Sequence, residues 1–535
     1  MAGTRAVPAG LPPKTTLKRI IENIPHDARK QTEGVSDMIT RRTALTALLS
    51  AGTAATAATA GFLSGFPRLS FADDTGTPNE LKIPALDTGT VRNGSRVFDL
   101  HLQQGSTQFL ATGAPTPTLG INGGFLGPTL SMQNGENVVI NVTNRIGEPS
   151  TLHWHGFHVP AKHDGGPHQV IENGATWSPA FEIKQKAATF WYHSHMHHKT
   201  GEQVYRGLAG LIVVEDAESL SLDLPKTYGV DDIPLIIQDR AFNRDGTFRY
   251  VSSMHDVMMG MQGDTILVNG TVNPFLHAKT QKIRFRILNG SNARFYTLAF
   301  SDGRRFQQIA TDGSFLSGPV ETDRIVLAPS ERAQIVVDIG TDGRPLKLVS
   351  LPGETQGGGM MSAMANQRFD IIEIRPDAAL KSSPAVPGKL TDLPRLRAQD
   401  AVKTRRFVLA MGMGPGMGGG GGGGGFTING RSMDMKRIDE RVKLGDTEIW
   451  EIKNDSPMTH PFHIHDIQFQ ILDRNGNPPA PGERGLKDTV RVHGGETVRV
   501  IARFEDYADP DHPYMYHCHI LEHEDAGMMG QFVVV

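Results

Sequence analysis

The sequence predicts an all-β protein built from three sandwich domains, and three observations support this fold class. Its 535 residues exceed one ordinary domain at roughly 150 residues each. Runs with an apolar residue at every second position, separated by Gly, Pro and Asn-Gly, are typical of half-buried strands. The clearest runs are residues 138–142, 283–287 and 498–504. The third observation is a strand-and-histidine pattern that repeats along the chain.

The repeat has two strong copies, residues 135–155 and 445–465. Each begins with Gly, continues as an alternating strand to an Asn, and ends in His-x-His. A weaker copy at 283–300 carries Leu298 and Phe300 in the histidine positions. We interpret this as three copies of one sandwich, of which the outer two bind metal. The expected domains are residues 80–220, 228–378 and 400–535, joined by Pro-bearing linkers near 224–225 and 383–394.

The N-terminal segment predicts export. Arg41-Arg42 precedes a mildly apolar stretch at 44–66, and a small-x-small cleavage site follows at 70–72. This resembles a twin-arginine signal and predicts a periplasmic protein with no stable membrane insertion. An uncleaved anchor is the alternative, although the Thr, Ser and Gly content disfavours a membrane span. The signal is assigned to residues 38–72, and residues 1–37 are interpreted as a polar extension upstream of a natural start, or a disordered segment.

Composition narrows the function. The formal net charge of -3 gives no reason to expect nucleic acid or an anionic membrane as partner. The single cysteine, Cys518, excludes an intramolecular disulfide, so it is either a small core residue or a metal-bound thiolate. Twenty-one histidines and twenty methionines accompany it. Metal chemistry is therefore the first hypothesis to test against the motifs.

Four histidine-rich motifs carry this chemistry. One His-x-His pair on a strand merely places two rings on the same face, and surface or core histidines explain it about as well. Four motifs, two in each strong repeat copy, argue against coincidence. The motifs are His153-x-His155, His193-x-His195, His460-Pro-Phe-His463-Ile-His465 and His517-Cys518-His519 followed by His523 and Met528.

The ligand types favour copper. Two histidines, a cysteine and a distant methionine form the blue-copper set, which His460, Cys518, His523 and Met528 supply. A structural zinc site needs four ligands and would leave most histidines unused. The other eight come equally from the first and third domains, which predicts a cluster at their interface. On an extended strand the two neighbours of Cys518 face away from it, so one segment would serve both sites.

These motifs resemble those of the multicopper oxidases from about residue 80 to the end. The resemblance implies cupredoxin-like Greek-key domains, a monomer with four copper ions, one-electron oxidation of a substrate and four-electron reduction of dioxygen to water. All ten histidines, the cysteine and the methionine are present, which argues against the copper-free binding members of the family. The resemblance also implies a proton relay through Asp164 and Glu524, which would otherwise be ordinary hydrogen-bonding or surface carboxylates. By this resemblance His460, Cys518, His523 and Met528 bind type 1 copper, His153 and His463 type 2 copper, His155, His193 and His519 one type 3 copper, and His195, His465 and His517 the other.

Methionine placement is the clue to the substrate. One group lies at 254–261, a second at 360–364, and a third surrounds the glycine run at 418–425. Thioethers select cuprous ion, although flexible linker or gap-filling packing is the alternative explanation. The third group resembles the Met-rich insert of cuprous oxidases, but is sparser and lacks His. Ser456 stands where that family has an acid, and Asp455 is adjacent. The substrate-copper candidates are Met411, Met413, Met417, Met433, Met435, Met458 and Asp455.

The expected function is oxidation of Cu(I) to Cu(II) in copper tolerance, with oxidation of small aromatic reductants such as phenols or diamines as a second activity. A laccase or bilirubin oxidase with incidental methionines is the alternative within the same class. A non-catalytic copper-storage protein is the alternative from another class. A copper nitrite reductase is disfavoured because it needs no trinuclear histidine set.

Overall fold

The chain folds mainly into β-strands in the part that the computed structural model describes, residues 78–340, 342–353, 367–412 and 425–535. This confirms the predicted all-β class. Among these residues, no helix combines the length and apolarity needed to cross a membrane. Several expectations lie outside the described residues: the extension at 1–37, the signal at 38–72, and Met360, Met361, Met364, Met413 and Met417.

The first sandwich is built from strands between residues 86 and 215. The N-terminal strands are β1 Asn79–Glu80, β2 Leu86–Asp87, β3 Thr90–Arg92, β4 Ser95–Thr107, β5 Thr116–Ile121, β6 Thr129–Gln133, β7 Asn137–Arg145, β8 His153–His155, β9 Thr176–Trp177, β10 Ala180–Glu182, β11 Ala188–His193 and β12 Ala209–Glu215. One sheet has the order β10-β7-β4-β3, with β5 on β4 and β9 on β7; the other is β2-β6-β12-β11-β8. Apolar side chains of both sheets, such as Ile140 and Ile212, share one core. Alternate burial along β7 confirms the period-two prediction.

The second sandwich takes in β1 as well as the central strands. These are β13 Asp232–Phe242, β14 Phe248–Arg249, β15 Thr265–Val268, β16 Thr271–Val272, β17 Pro274–Thr280, β18 Lys282–Asn289, β19 Tyr296–Phe300, β20 Phe306–Ala310, β21 Phe315–Thr322, β22 Arg324–Leu327, β23 Arg332–Asp338, β24 Leu346–Leu351 and β25 Phe369–Lys381. Its sheets are β1-β17-β25-β24-β19-β22 and β16-β15-β13-β18-β23-β20-β21, with β14 on β13. Leu298 and Phe300 lie in its core, so the middle repeat copy packs apolar side chains where the others place histidines.

Strand β18 shows why alternation does not always produce a solvent face. Its polar positions are as buried as its apolar ones: Arg284 is 3% and Arg286 2% exposed. Arg286 forms ion pairs with Asp232 at 2.8 Å and with Glu215 of the first sandwich at 2.6 Å. The outer face of this sheet is therefore an interface, and its charges are paired because unpaired burial would be costly.

The third sandwich contains the remaining strands. They are β26 Lys403–Met411, β27 Phe426–Ile428, β28 Glu440–Val442, β29 Thr447–Asn454, β30 His460–Ile464, β31 Gln470–Arg474, β32 Thr489–Val492, β33 Thr497–Arg503, β34 Asp509–Cys518 and β35 Met529–Val534. The sheets are β27-β26-β29-β33-β31 and β28-β35-β34-β30-β32. Their shared core includes Trp450, Phe462, Cys518 and Met528. The cysteine therefore lies inside the sandwich, at its apolar centre.

Short helices connect the sandwiches near the histidine motifs. The helices are α1 Thr200–Arg206, α2 Ala217–Ser221, α3 Met254–Met259 and α4 Leu521–Asp525, with 3₁₀ turns at Ala161–His163, Ala398–Asp400 and Pro481–Glu483. Helices α1 and α3 both pack on α4, which closely follows the His-Cys-His segment.

The internal repeat is visible in three equivalent asparagines that close strands β7, β18 and β29. Asn144, Asn289 and Asn454 each donate from Nδ2 to two backbone carbonyls. Each also accepts at Oδ1 from the backbone N–H two residues later, at 2.9–3.1 Å. One local device therefore ends the same strand in each sandwich and directs the chain that follows, which in two of them carries His-x-His.

Candidate metal centres

At the end of β34, the side chains of His517 and His519 lie on one side and that of Cys518 on the other, as the strand alternation predicted. The rings of His517 and His519 lie 5.4 Å apart between centroids. Cys518 lies between them in sequence but belongs to the hydrophobic core, with no exposed surface. One three-residue segment therefore reaches both the apolar centre of the third sandwich and the histidine cluster beside it.

Cys518 shares its site with His460 and His523, and their ligand atoms all lie within 4.8 Å of one another. The Sγ atom is 3.2 Å from His460 Nδ1 and 3.8 Å from His523 Nδ1. The backbone N–H of Ile520 donates to the same sulfur at 3.4 Å. Met528 is fully buried in the same core, and its carbonyl accepts from the Cys518 N–H at 3.0 Å. The predicted type 1 residues thus come together in one place.

Neutral groups orient the two imidazoles of this site. His460 Nε2 lies 2.8 Å from the Ser456 hydroxyl, and His523 Nε2 donates to the Met258 carbonyl at 3.1 Å. Phe426 stacks on the His523 ring at 4.3 Å between centroids. Because each Nε2 is engaged in this way, each Nδ1 is directed at the sulfur.

The eight other histidines converge between the first and third sandwiches, and seven of them have no exposed surface while His519 has 1%. His195 Nε2 and His465 Nε2 each lie 3.2 Å from His517 Nε2. His155 Nδ1 lies 3.3 Å from His193 Nε2. Two of the sets whose ligand atoms lie within 4.8 Å of one another are those predicted for the type 3 pair: His155, His193 and His519, and His195, His465 and His517.

The predicted type 2 pair, His153 and His463, has matching hydrogen bonds. Their Nδ1–H groups donate to the backbone carbonyls of Asp164 and Asp488, each at 2.8 Å. Their Nε2 atoms are buried and have no hydrogen-bond partner among the described residues. His153, His463 and His155 each have a ring nitrogen within 4.8 Å of those of the other two, close enough to bind one metal ion. Two unused lone pairs facing a shared space are a suitable place for a cation.

The predicted proton-relay acids touch this cluster directly. Asp164 Oδ2 accepts from His465 Nδ1 at 2.7 Å. The Glu524 carboxylate lies 3.3 Å from His195 Nδ1 and 3.1 Å from His517 Nδ1. Both acids are 1% exposed. Asp164 thus holds the His465 ring with its other nitrogen facing His517, and Glu524 lies against two further imidazoles; carboxylates in such positions orient metal-binding histidines in proteins.

Burial dominates the electrostatics of both sites. It lowers the pKa of His195 to about 4 and of His523 to about 3, and it lowers the pKa values of His153, His155, His193, His460, His463, His465 and His519. It also raises the pKa of the Cys518 thiol. Burial, reinforced by Asp466, raises the pKa of Asp164. For Glu524 burial opposes ionisation, but the neighbouring His195 and His517 lower its pKa.

The donor sets fit copper. Neutral imidazoles offer their lone pairs, and the sites hold nitrogen and sulfur donors that copper binds well. Four buried ring nitrogens have no hydrogen-bond partner among the described residues: Nε2 of His153, Nε2 of His463 and both nitrogens of His519. A bound metal ion would satisfy them. Buried polar atoms are rarely left unpaired, so their convergence is itself evidence for metal.

The described methionine candidates separate into two kinds. Met258, Met411 and Met458 are half-buried and pack against the core that contains Cys518. Met433 and Met435 lie beside β35, where their backbones bond to Gly527 and Gln531. Of the first methionine group, Met254 is 73% exposed and Met261 is buried in a separate small cluster.

The two residues before Met458 in the predicted substrate site have different surroundings. Asp455 forms an ion pair with Lys453 at 2.8 Å, and its side chain is 44% exposed. Ser456 is buried and contacts His460 instead. Ser456 stands where the family resemblance implies an acid, and it places a neutral hydroxyl beside the His460 imidazole.

Three side chains at the sites, those of Asp488, Arg332 and Glu522, were missed by sequence reasoning. Asp488 Oδ1 lies 3.0 Å from His155 Nε2, and Arg332 holds that carboxylate. Glu522 accepts from Tyr250 at 3.0 Å and from the Met261 N–H at 2.9 Å, and so fixes both ends of the segment that carries the Met258 carbonyl. Asp488 and Arg332 lie outside the histidine motifs. The one available signal was Glu522, which stands next to His523.

Comparison with known protein families identifies a single family that this chain resembles. Two family models, both described as multicopper oxidase, match residues 103–219 and 406–535. These segments contain the histidine motifs of the first and third sandwiches.

Individual relatives cover most of the chain. The multicopper oxidase mco of Staphylococcus haemolyticus is 38% identical over 85% of this chain and 92% of its own length. The cell division protein FtsP of Sodalis glossinidius is 37% identical over 86% of this chain and 93% of its own. Among solved structures, a laccase-like multicopper oxidase CueO from Ochrobactrum sp., with oxidase activity towards lignin model compounds, superposes with a TM-score of 0.76. It is 35% identical over 85% of this chain and all of its own.

Proposed function

This chain belongs to the multicopper oxidase family, and we propose that it is a periplasmic cuprous oxidase that contributes to copper tolerance. The observation that carries the substrate assignment is the set of half-buried methionines Met258, Met411 and Met458, which pack on the core around Cys518. Thioether sulfur prefers Cu(I) to harder cations. The substrate ion would therefore be held next to the site that takes its electron.

We assign the copper ligands as follows. The Cys518 site takes one copper and the eight-histidine cluster takes three, so a monomer holds four. When bound, copper supplies the one-electron oxidation of the substrate and the four-electron reduction of dioxygen to water. The type 1 ligands are His460, Cys518, His523 and Met528, the type 2 ligands His153 and His463, and the type 3 ligands His155, His193, His195, His465, His517 and His519.

The protein's part in this chemistry begins with rigid placement. The segment 517–519 joins the two sites by a few covalent bonds, and the rest of each site is held by hydrogen bonds within the core. His517 Nδ1 donates to the Cys518 carbonyl at 3.1 Å, which ties the imidazole to the cysteine's own backbone. Sites fixed in this way undergo little reorganisation during turnover.

The carboxylates serve proton delivery. Water formation from dioxygen consumes protons, and the cluster is enclosed by protein. Asp164 and Glu524 are buried acids that contact the imidazoles of His465, His195 and His517. Each carboxyl group lies within 3.3 Å of these imidazoles at the edge of the enclosed cluster, where a group that takes up and releases protons can deliver them. We assign both residues to proton transfer.

Access to the Cys518 site favours a small ion over a bulky organic substrate. The edge of His523 that faces away from the sulfur is covered by the Met258 carbonyl. The segment that carries Met258 is anchored at both ends by Glu522. Gly260 lies so close to Ala293 and Ile520 that an added Cβ would come within 2.3 and 2.6 Å of their side chains. A phenol cannot contact that imidazole edge without displacing this segment.

The test compares isosteric variants. Met258→Leu, Met411→Leu and Met458→Leu preserve volume and remove one sulfur each. If a soft ligand contributes about 1.4 kcal/mol, each change raises the KM for Cu(I) about tenfold and leaves phenol oxidation unchanged. Met254→Leu is the matched control, because Met254 lies on the same helix as Met258 but its side chain is exposed. Oxygen uptake provides the rates; equal KM values for all four variants would contradict the assignment. Asp455→Asn tests the remaining predicted substrate ligand in the same assay.

A second candidate is an oxidase of organic substrates, which the lignin-active Ochrobactrum relative supports. Turnover of phenols without added copper, together with no oxidation of Cu(I), would establish it. The FtsP relatives raise a third candidate, a non-enzymatic role. The complete set of buried ligand residues argues against it, because such a role needs no converging imidazoles. Copper-loaded protein that consumes no oxygen with either substrate would support it.

Domain bounds and oligomeric state complete the proposal. We propose the sandwiches at 80–220, 228–378 and 400–535, with the addition that Asn79–Glu80 pairs with the second sandwich. The protein is proposed to act as a monomer, because each chain contains both sites.

A further inference from the structure

Arg332 is a buried arginine of the second sandwich, which contributes none of the proposed copper ligands. Its guanidinium donates from Nε to the Thr189 carbonyl at 3.0 Å, from Nη1 to Ser330 O at 3.1 Å, and from Nη2 to Asp312 O at 3.0 Å. The two remaining N–H groups donate to Asp488, at 2.8 Å to Oδ1 and 2.6 Å to Oδ2. All five donors are used, and the pair with Asp488 is bidentate, the strong geometry for arginine and carboxylate.

Asp488, fixed by Arg332, in turn contacts a histidine of the cluster. His155 Nε2 donates to Asp488 Oδ1 at 3.0 Å. The ring therefore presents Nδ1 to the cluster, 3.3 Å from His193 Nε2. His153 and His463 are held the opposite way, with Nδ1 on a backbone carbonyl and Nε2 inward. His155 thus depends on a side chain for its tautomer, where these others depend on backbone.

The residue after His155 leaves room for the ion pair. Gly156 has φ +85°, and a Cβ at this position would lie 2.3 Å from Asp488 Oδ2 and 3.0 Å from Arg332 Nη2. Only glycine avoids both the strained backbone and the clash. The first sandwich (Gly156, Thr189), the second (Arg332) and the third (Asp488) therefore meet at one point beside the cluster.

We propose that Arg332 is a positioning residue for the trinuclear site: it fixes Asp488, and Asp488 fixes the orientation and tautomer of His155. The proposal rests on the copper-ligand role of His155 given above. It assigns the second sandwich a part in copper binding although it supplies no ligand. Outer partners of this kind commonly change metal affinity when they are removed.

The experiment measures copper affinity, which is independent of turnover. Arg332→Met keeps the length of the side chain and removes every donor. Apo-protein is titrated with copper against a chelator, and bound copper is counted by mass spectrometry. We expect the three cluster coppers to bind about 10–100-fold more weakly, while the Cys518 site keeps its blue absorbance and its affinity.

The matched control is Arg286→Met. Arg286 is also a buried arginine of the second sandwich, is paired with Asp232 and Glu215, and contacts none of the ligand histidines. Both variants lose a buried ion pair and should unfold at lower temperature. Only Arg332→Met should lose cluster copper, and Arg332→Lys, which restores the charge without the bidentate fork, should recover part of the affinity.

Three results would overturn the proposal: unchanged cluster affinity in Arg332→Met, equal copper loss in both arginine variants, or no recovery in Arg332→Lys. If Arg332→Met does not fold, Asp488→Asn retains the shape and carries the same prediction of weakened cluster binding with an intact blue site. Failure of the proposed function is distinguishable, because it would appear as parent protein that binds copper without oxidising Cu(I).

Discussion

The eight-histidine cluster and the Cys518 site differ in the partners of their imidazoles: the cluster has carboxylates beside its backbone partners, and the Cys518 site has neutral partners. At the cluster, the carboxylates of Asp164, Asp488 and Glu524 contact ligand histidines. At the Cys518 site, the partners are the Ser456 hydroxyl and the Met258 carbonyl, which are neutral. Both sites are buried, so burial alone does not explain the difference.

The chemistry proposed for each site explains it. Three copper ions would concentrate positive charge, which carboxylates offset, and reduction of dioxygen consumes protons, which the same carboxyl groups can take up and pass on. The Cys518 site only exchanges single electrons, and a neutral apolar shell limits solvent access and reorganisation. The contrast makes separate predictions for variants at each site.

The largest effect is expected at the cysteine. Cys518→Ser removes the thiolate that is proposed to bind type 1 copper, so the blue absorbance should vanish. Oxidase activity should fall below about one thousandth of the parent rate, a barrier increase of roughly 4 kcal/mol. Metal analysis should still find the three cluster coppers, because none depends on the sulfur. Retained oxygen uptake would disprove its role in electron entry.

A smaller effect that divides the two sites is expected at the acids. Glu524→Gln and Asp164→Asn should lower kcat about 10²–10⁴-fold, because an amide cannot take up and release a proton as a carboxyl group does. Anaerobic bleaching of the blue colour by substrate should stay fast, while its return on adding oxygen should slow. Glu448→Gln is the control, since Glu448 is a buried carboxylate paired with Arg405 in the same sandwich. Slow bleaching in the acid variants would show that they act at the Cys518 site instead.

The smallest effect concerns stability in acid, at a point away from both sites. Burial would raise the pKa of Glu483, but Arg474 and Arg491 lower it from 4.5 to about 2. A carboxylate whose pKa is lowered by folding stabilises the protein above its unfolded value and loses this contribution as pH falls from 4.5 towards 2. The contribution is about 3 kcal/mol at most.

Urea unfolding of the parent and of Glu483→Gln at pH 7 and at pH 3 measures this effect. The difference between the two proteins should shrink at the lower pH. A constant difference would mean that the ion pairs at Glu483 do not contribute to acid sensitivity.

Much of this arrangement was predictable because it is local. The register of the repeat located His153 and His463, and strand alternation separated Cys518 from its neighbours. What could not be predicted depends on distant contacts: Arg332 reaches Asp488 across two sandwiches, and the partner of His523 is a backbone carbonyl with no sequence signature. Arg284 and Arg286 offered a missed signal, because arginines on alternate positions of a central strand indicate a buried, charge-paired interface.

The most direct test of the account is the ratio of Cu(I) oxidised to dioxygen consumed by copper-loaded protein. Four electrons reduce one dioxygen to water, so the ratio should be four with no peroxide released. A ratio of two with peroxide, or copper-loaded protein that takes up no oxygen with either Cu(I) or a phenol, would contradict the assignment of the eight histidines to a complete oxygen-reducing site fed by the Cys518 site.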